Sequence, residues 1–346
     1  METRTLIMAA ALTAACTLSA ESRLRIVATS FPHYDWTRQI LGQAADGVEL
    51  ELLQQSGADL HSYQPTAADL MKIAQCDLFI YVGGESDAWV ARALAQNGNP
   101  RRRALNLLKA LGDGAKEEKV VEGMEPGHHH HDRDHHHDED HDHAKKHDHD
   151  KDHGHDQKHD HDGEHDEEHG LDEHVWLSLR HAAKLTQAIA GELSALDPAH
   201  ADGYRQNAAA YQVKLESLDR AYAAMVAAAK RRTILVADRF PFRYLADDYG
   251  LAYFAAFSGC SAESEASFKT VAFLAKKVDE LNLPVILTIE GVTHKIAETV
   301  KATTKSRDQR ILALDSLQSV TGAAARTATY LEVMTQNLAP LKAALN

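Results

Sequence analysis

Short apolar strands alternate with helical segments along most of this chain, and this alternation limits its fold more than any other feature. The predicted strands are Leu24–Ala28, Val48–Leu53, Asp77–Val82, Ala104–Leu108, Thr233–Ala237, Ala252–Phe257, Val285–Ile289 and Ile311–Leu314. Alternation of this kind indicates parallel sheets, and 346 residues with 44% apolar content are too many for one small core. We therefore predict an α/β fold of two lobes, each with a mostly parallel sheet flanked by helices.

A long amphipathic helix is predicted between the two lobes. Asp197-Pro198 supplies a helix N-cap followed by proline at the first helical position. Apolar residues then recur at spacings of four and three, namely Tyr204, Ala208, Tyr211, Leu215, Leu218, Tyr222 and Met225. The pattern predicts one linking helix over 198–230, between an N-terminal lobe at 21–197 and a C-terminal lobe at 231–346. We expect a monomer, and a coiled-coil dimer is the alternative for the same pattern.

The segment from residue 127 to residue 170 has a metal-binding composition. Between His128 and His169, 42 residues contain 17 of the protein's 23 histidines and 16 Asp or Glu residues. Neutral imidazole is a nitrogen ligand that suits Zn, Cu and Ni, and carboxylates can fill the remaining positions. Because the segment has almost no apolar residues to bury, we predict a disordered His/Asp-rich loop that collects divalent cations. A loop that only improves solubility is the alternative.

The N-terminus has the features of an export signal. Leu6–Cys16 is an apolar run of small residues preceded by Arg4, and it is too short to cross a bilayer as a helix. We predict a signal peptide over residues 1–20, cleaved after Ala20, or lipid attachment at Cys16; a buried N-terminal helix is the alternative. The protein is then periplasmic or extracytoplasmic, and a lipid on Cys16 would anchor it to a membrane.

Charge and cysteine content argue against two classes of function. Of the net charge of −14, the segment from His128 to His169 contributes −11, so the rest of the chain, at −3, offers no basic face for nucleic acid. After export, Cys76 and Cys260 remain, and they lie in different halves of the chain. Without a close cysteine spacing, the sequence predicts neither a disulfide framework nor a cysteine-based zinc knuckle.

Two histidines outside the His-rich segment lie at junctions between predicted elements. His61 follows the strand Val48–Leu53, within Gly57–Pro65. His174 lies within Asp172–Leu177, immediately before a predicted helix. Loops at the carboxyl edge of a parallel sheet are where α/β proteins place their ligands. An isolated surface histidine is the alternative for each, but the shared junction position favours metal ligands.

These segments resemble a known family. Gly57–Pro65 and Asp172–Leu177 are similar to the two N-terminal metal-binding motifs of the zinc and manganese solute-binding proteins of ABC importers. Tyr81–Val90 is similar to the strand, turn and helix that follow the first motif, and Leu314–Leu317 resembles the family's last metal-site loop. The resemblance covers nearly the whole chain from Arg25 onward. An acidic His-rich insertion before the second motif is typical of the family's zinc branch.

The resemblance implies a metal site between the lobes. His61 and His174 would be ligands from the N-terminal lobe, and Asp315 would be a ligand from the C-terminal lobe. The family's remaining ligand, a His or Glu after the first C-terminal strand, corresponds to Arg239 in this chain. Arginine has no free lone pair and does not coordinate zinc, so the usual four-ligand set is incomplete.

Other side chains are candidates for the missing ligand. Asp238 is adjacent in the sequence, Glu290 ends a predicted strand, and His294 follows shortly after. A water molecule in an open coordination position is a further candidate. Arg239 would then pair with Glu265 or Asp238 and hold the lobe interface closed without touching the metal.

The sequence thus predicts a binding protein and not an enzyme. By resemblance, it would capture Zn²⁺ as a transported ligand between its lobes and deliver the ion to an ABC permease in the membrane. Uptake of manganese or iron, which would favour more oxygen ligands, and periplasmic zinc storage or chaperoning are the alternatives. A zinc hydrolase is disfavoured because the sequence has no His-Glu-x-x-His motif.

Overall fold

The computed structural model describes residues 23–57, 59–96, 98–125, 170–261, 265–291 and 293–346. The predicted signal peptide, Cys16 and the segment from His128 to His169 lie outside these ranges, so the interpretations given for them stay predictions. Among the described residues, eight strands form two four-stranded sheets. The strands are β1 (Leu24–Ala28), β2 (Val48–Leu52), β3 (Leu78–Tyr81), β4 (Arg103–Asn106), β5 (Thr233–Phe240), β6 (Ala252–Ser258), β7 (Val285–Ile289) and β8 (Arg310–Leu314).

Both sheets have the same strand order. The first runs β2-β1-β3-β4 and the second runs β6-β5-β7-β8, with parallel pairing throughout the described strands. In each lobe the chain therefore reverses its direction of winding between the two central strands, and the loops that follow those strands form a crevice that α/β proteins use for ligands. The predicted fold, two α/β lobes with parallel sheets, is confirmed.

Helices connect the strands and cover the sheets. They are α1 (Phe31–Leu41), α2 (Ala67–Gln75), α3 (Val90–Leu94), α4 (Leu107–Leu111), α5 (Leu179–Leu196), α6 (Ala201–Ala227), α7 (Arg243–Tyr249), α8 (Phe268–Leu281), α9 (Lys295–Thr303), α10 (Gly322–Ala325), α11 (Tyr330–Gln336) and α12 (Leu338–Ala344). Hydroxyl side chains begin several of them: Thr66, Ser178 and Ser267 each accept a backbone N–H of the first turn, which satisfies a donor that the helix leaves unpaired. In the described part of the chain, every helix is too short or too polar to cross a membrane.

The helix α6 links the two lobes as predicted, but it is shorter than predicted. A 3₁₀ turn at Pro198–His200 precedes it, so the α-helical part has 27 residues and a length of about 40 Å. The Asn207 amide donates to the Ile40 carbonyl of the first lobe at 2.9 Å, and the Tyr222 hydroxyl donates to the Met334 carbonyl of the second at 2.6 Å. The helix is therefore fastened to both lobes.

A continuous apolar core and buried hydrogen bonds join the lobes. One cluster of buried residues extends from the first sheet, along α6, to the second sheet. The Trp176 indole donates to the Ser316 carbonyl at 2.8 Å, and the Tyr330 hydroxyl donates to the Trp176 carbonyl at 2.6 Å. Separating the lobes would break these hydrogen bonds, at about 0.5–1.5 kcal/mol each, and expose part of the shared apolar cluster to water. The structure therefore favours small lobe movements.

Candidate metal site

His61 is held in a 3₁₀ turn, Leu60–Ser62, on the loop that follows β2. The Asp59 carboxylate begins this turn by accepting the backbone N–H of His61 at 2.9 Å, and the Leu60 side chain anchors it in the core. The ring Nδ1 of His61 lies 2.6 Å from the Ser86 hydroxyl. With Nδ1 occupied, Nε2 is the atom that His61 presents to the site.

His174 is fully buried and is oriented by Asp172, which is also buried. One carboxylate oxygen of Asp172 lies 2.9 Å from both the backbone nitrogen and the ring Nδ1 of His174. Because a carboxylate accepts hydrogen bonds, Nδ1 carries a proton, and Nε2 is the ring nitrogen that His174 presents to the site. The Tyr244 hydroxyl of the second lobe donates to the Asp172 carbonyl at 2.8 Å and fixes this segment from the other side.

The two imidazoles meet through their Nε2 atoms. The Nε2 of His61 lies 3.1 Å from the Nε2 of His174. Two lone pairs at this distance repel unless a proton or a metal cation lies between them. Two nitrogens bound to one tetrahedral zinc at about 2.0–2.1 Å lie about 3.4 Å apart, so this pair needs only a small adjustment to bind one ion.

Burial sets the protonation of the pair. Burial, and then the positive charge on His174, lowers the pKa of His61 to about 3. Burial alone would also lower the pKa of His174, but its hydrogen bond to Asp172 and nearby carboxylates outweigh burial and raise it. Burial raises the pKa of the adjacent Glu173 to about 7. His61 is therefore neutral, which is the form of imidazole that binds metals.

Cys260 is the third member of this group, and the sequence analysis missed it. Among the described residues, the ligand atoms of His61, His174 and Cys260 lie within 4.8 Å of one another. Cys260 follows β6 directly after Gly259, on the loop that leaves the carboxyl end of that strand. Like His61, Cys260 follows the carboxyl end of a predicted strand, and this position could have identified it as a candidate ligand. The spacing between the cysteines, which is the signal for a disulfide or a zinc knuckle, does not.

Arg239 crosses from the second lobe to the first. The structure extends β5 to Phe240, and its pairing with β6 shifts register between Val236 and Arg239. Such an irregularity changes which face a side chain points to. The Arg239 guanidinium lies 2.6 Å from the Asp59 carboxylate and 3.4 Å from the Ser261 carbonyl. The predicted partners of the Arg239 guanidinium, Glu265 and Asp238, are wrong: its ion pair is with Asp59 of the first lobe.

The three candidate carboxylates of the second lobe have partners of their own. Asp238 accepts from the Thr288 hydroxyl at 2.9 Å. Glu290 accepts from both the backbone N–H and the hydroxyl of Ser316, each at 2.7 Å. Asp315 accepts the backbone N–H of Leu317 at 2.7 Å, and burial and the charge of Glu290 raise its pKa to about 6.

The structure does not bring these carboxylates into the group formed by the imidazoles. In the part of the chain that the structure describes, the ligand atoms grouped within 4.8 Å are those of the two histidines and Cys260. Asp238 and His294 line the same cleft as His61. Glu290 and Asp315 lie together at the ends of β7 and β8. Metal ligation by Asp238, Glu290 or Asp315 stays a prediction.

Two cavities border His61. A cleft of about 450 Å³ lies between the lobes and is lined by Asp59, His61, Ser62, Asp238, Arg239, Glu265, Thr293, His294, Lys295 and Ile296. A smaller cavity of about 200 Å³ is lined by His61, Glu85, Ser86, Glu118, Gly170, Leu171, Glu173 and Cys260. Acidic side chains predominate among the charged residues of the second cavity, so it would attract a cation.

Comparisons of the whole chain with known proteins point to zinc uptake. The model of the family "zinc-uptake complex component A, periplasmic" matches residues 26–344. The zinc-binding lipoprotein AdcA of Streptococcus pneumoniae is 31% identical, over 93% of this chain and 56% of AdcA. The high-affinity zinc uptake system protein ZnuA of Bacillus subtilis is 28% identical, over 94% of this chain and 89% of ZnuA.

A solved structure is similar over the same extent. The crystal structure of the Zn(II)-bound ZnuA-like domain of Streptococcus pneumoniae AdcA has a TM-score of 0.65 to this chain at 29% sequence identity. The match covers 93% of this chain and 99% of that domain. The chain spans about half the length of the AdcA relatives that it matches, 56% in the case above.

Proposed function

Because the chain belongs to the family of periplasmic zinc-uptake complex components A, we propose that it captures Zn²⁺ between its lobes and delivers the ion to an ABC permease. The protein would act outside the cytoplasm as a monomeric binding protein with no enzymatic activity. Its predicted signal peptide at 1–20 and a lipid on Cys16 are alternative routes to that location. The lobe boundaries at 21–197 and 231–346, with the linking segment at 198–230, belong to this proposal.

The approach of two imidazoles carries the proposal. His61 and His174 come from segments 113 residues apart, yet their Nε2 atoms lie 3.1 Å from each other. Each Nδ1 has a polar partner, Ser86 or Asp172, so both Nε2 atoms face the same point. Partners of this kind fix the orientation of a metal-binding histidine and increase its basicity. We therefore assign both histidines as zinc ligands.

The three carboxylates have different degrees of support as additional ligands. Asp238 lines the cleft that His61 also lines, so a bridging water could connect it to the ion. Asp315 and Glu290 accept hydrogen bonds from the Ser316–Leu317 loop, and neither lines the cleft that His61 borders. Among the three, Asp238 has the most support.

The residues that flank the His-rich segment support a collecting role for it. Gly170, which follows the segment, lines the smaller cavity together with His61 and Cys260. Glu125, which precedes it, pairs with Phe257 near the end of β6. Both attachment points are therefore near the site, and ions bound by the segment would be released close to the two imidazoles. We propose that the segment raises the local Zn²⁺ concentration.

Zinc titration of the protein with and without residues 128–169 tests the function. We expect one tight site that survives the deletion and is lost in His61→Ala. The control is His200→Ala, which should keep the site, because the His200 side chain is 61% exposed on the 3₁₀ turn before α6. Several equivalent weak sites that all vanish with the deletion would instead indicate storage. Tighter binding of Mn²⁺ than of Zn²⁺ in competition would indicate manganese uptake.

A further inference from the structure

The position of Cys260 differs from that of an ordinary buried cysteine. Its sulfur and one ring nitrogen each of His61 and His174 all lie within 4.8 Å of one another. The cysteine also borders the smaller cavity, whose lining includes Glu118 and Glu173. A cysteine that only fills space in a core packs among apolar side chains, whereas this one faces two imidazoles and several carboxylates.

Cys76 provides the comparison within the same chain. It is fully buried in an apolar cluster with Ile73, Phe79 and Val90. Its sulfur donates to the Ile73 carbonyl at 3.2 Å. Cys76 therefore has the environment of a structural cysteine, and Cys260 does not.

Backbone contacts hold Cys260 against the histidine segment. The backbone N–H of Cys260 donates to the Glu118 carboxylate at 2.7 Å. Gly259 brings the loop close to the ring of His174, since a Cβ atom at Gly259 would lie 3.0 Å from the His174 Cε1. The sulfur therefore comes from the second lobe and reaches the two histidines of the first lobe on a fixed backbone.

We propose that the thiolate of Cys260 is the metal ligand that the second lobe contributes, in place of the family ligand whose position is occupied by Arg239. This inference rests on the proposed zinc-binding function and adds a ligand to it. Binding exchanges the S–H bond for an S–Zn bond and releases the proton to solvent. Two imidazoles and a thiolate form a site that suits zinc and disfavours manganese, which prefers oxygen ligands.

Cobalt absorption tests the ligand directly. Co²⁺ replaces Zn²⁺ in such sites, and a thiolate bound to Co²⁺ gives a charge-transfer band in the near ultraviolet that imidazole and carboxylate do not give. The full-length chain is titrated in a Cys16→Ser background, so that Cys76 and Cys260 are the remaining thiols. We expect the band in this protein and in Cys76→Ser, and its loss in Cys260→Ser together with a fall in zinc affinity of more than about tenfold.

Thiol alkylation gives a second measurement, made on a protein that keeps Cys260. Bound Zn²⁺ should protect Cys260 from iodoacetamide in the Cys16→Ser protein, and His61→Ala should abolish the protection. A tight cobalt site without the charge-transfer band, with Cys260→Ser unchanged, would overturn the Cys260 assignment and leave the zinc-binding function intact. Failure to find any tight site that depends on His61 would overturn both.

Discussion

The substitution Asp172→Asn tests whether the metal site depends on a residue that does not touch the ion. One oxygen of Asp172 accepts both the backbone N–H and the ring Nδ1–H of His174, each at 2.9 Å. Asparagine can keep an acceptor oxygen in this place but loses the negative charge, so Nε2 of His174 becomes a weaker ligand. Replacing such a partner lowers metal affinity about 10–100-fold, which corresponds to about 1.4–2.7 kcal/mol.

Competition with a fluorescent zinc chelator at neutral pH measures this change. The dissociation constant of Asp172→Asn should rise within that range, and that of Asp172→Ala should rise further because alanine also removes the acceptor that fixes the ring orientation of His174. Asp197→Asn is the matched control, since Asp197 contacts the exposed His200 through Nδ1 at 2.7 Å. Wild-type affinity in Asp172→Asn, or an equal loss in the control, would refute the reasoning.

Three further predictions concern protonation, the lobe contact and the fit of the cysteine loop. Burial lowers the pKa of His33 to about 3. As pH falls below about 6.5, the unfolded chain therefore binds a proton at this histidine before the folded chain does, and the folded state should lose about 3 kcal/mol of stability between pH 7 and pH 4. The free energy of unfolding of His33→Gln, measured in urea, should lack this loss. A double-mutant cycle of Arg239→Ala and Asp59→Ala, measured by urea unfolding, should give a coupling free energy of about 1–2 kcal/mol. The two side chains lie 2.6 Å apart and are mostly buried. Gly259→Ala should weaken zinc binding in a chelator competition assay, since its Cβ would press on the ring of His174.

Each of these predictions has a control or a contrary result. If His33→Gln and the wild type lose equal stability on acidification, the buried imidazole is not responsible. A coupling free energy near zero would mean that the Arg239–Asp59 contact does not stabilise the folded chain. For the loop, Gly203→Ala is the matched control, because a Cβ at this position on α6 meets nothing within 4 Å. Equal zinc affinity in Gly259→Ala and Gly203→Ala would contradict the proposed fit.

Most of the fold could be predicted because local patterns determine it. The predicted and observed ranges of β1 and β7 coincide, since compact apolar runs mark both strands. The prediction ended β5 at Ala237, whereas the strand continues to Phe240. The polar residues 238 and 239 do not look like part of an apolar strand. They extend β5 because the strand pairs with β6 across a register shift, which the local sequence does not indicate.

The site could be predicted only in part, for a different reason. His61 and His174 were identifiable from their positions at element junctions and from the motifs around them. Cys260 lies 86 residues after His174 in the sequence, and no local spacing indicates that the two approach each other; only the arrangement of β6 against the first lobe brings them together. The ion pair between Arg239 and Asp59 was missed for the same reason.

The arginine at the family's ligand position and the cysteine beside the histidines are linked through charge. A guanidinium near Zn²⁺ would repel the ion, but Arg239 is paired with Asp59 at 2.6 Å. Burial alone would raise the pKa of Asp59, but Arg239 and His61, through their charges and hydrogen bonds, together outweigh burial and lower it, so the Arg239–Asp59 pair carries no net charge. A thiolate from Cys260 would then reduce the charge of the ion and its ligands by one, which a neutral histidine at position 239 could not do. If Cys260 is the second-lobe ligand, as we propose, the site has a lower positive charge and that ligand comes from the loop after β6 instead of from the family position on β5.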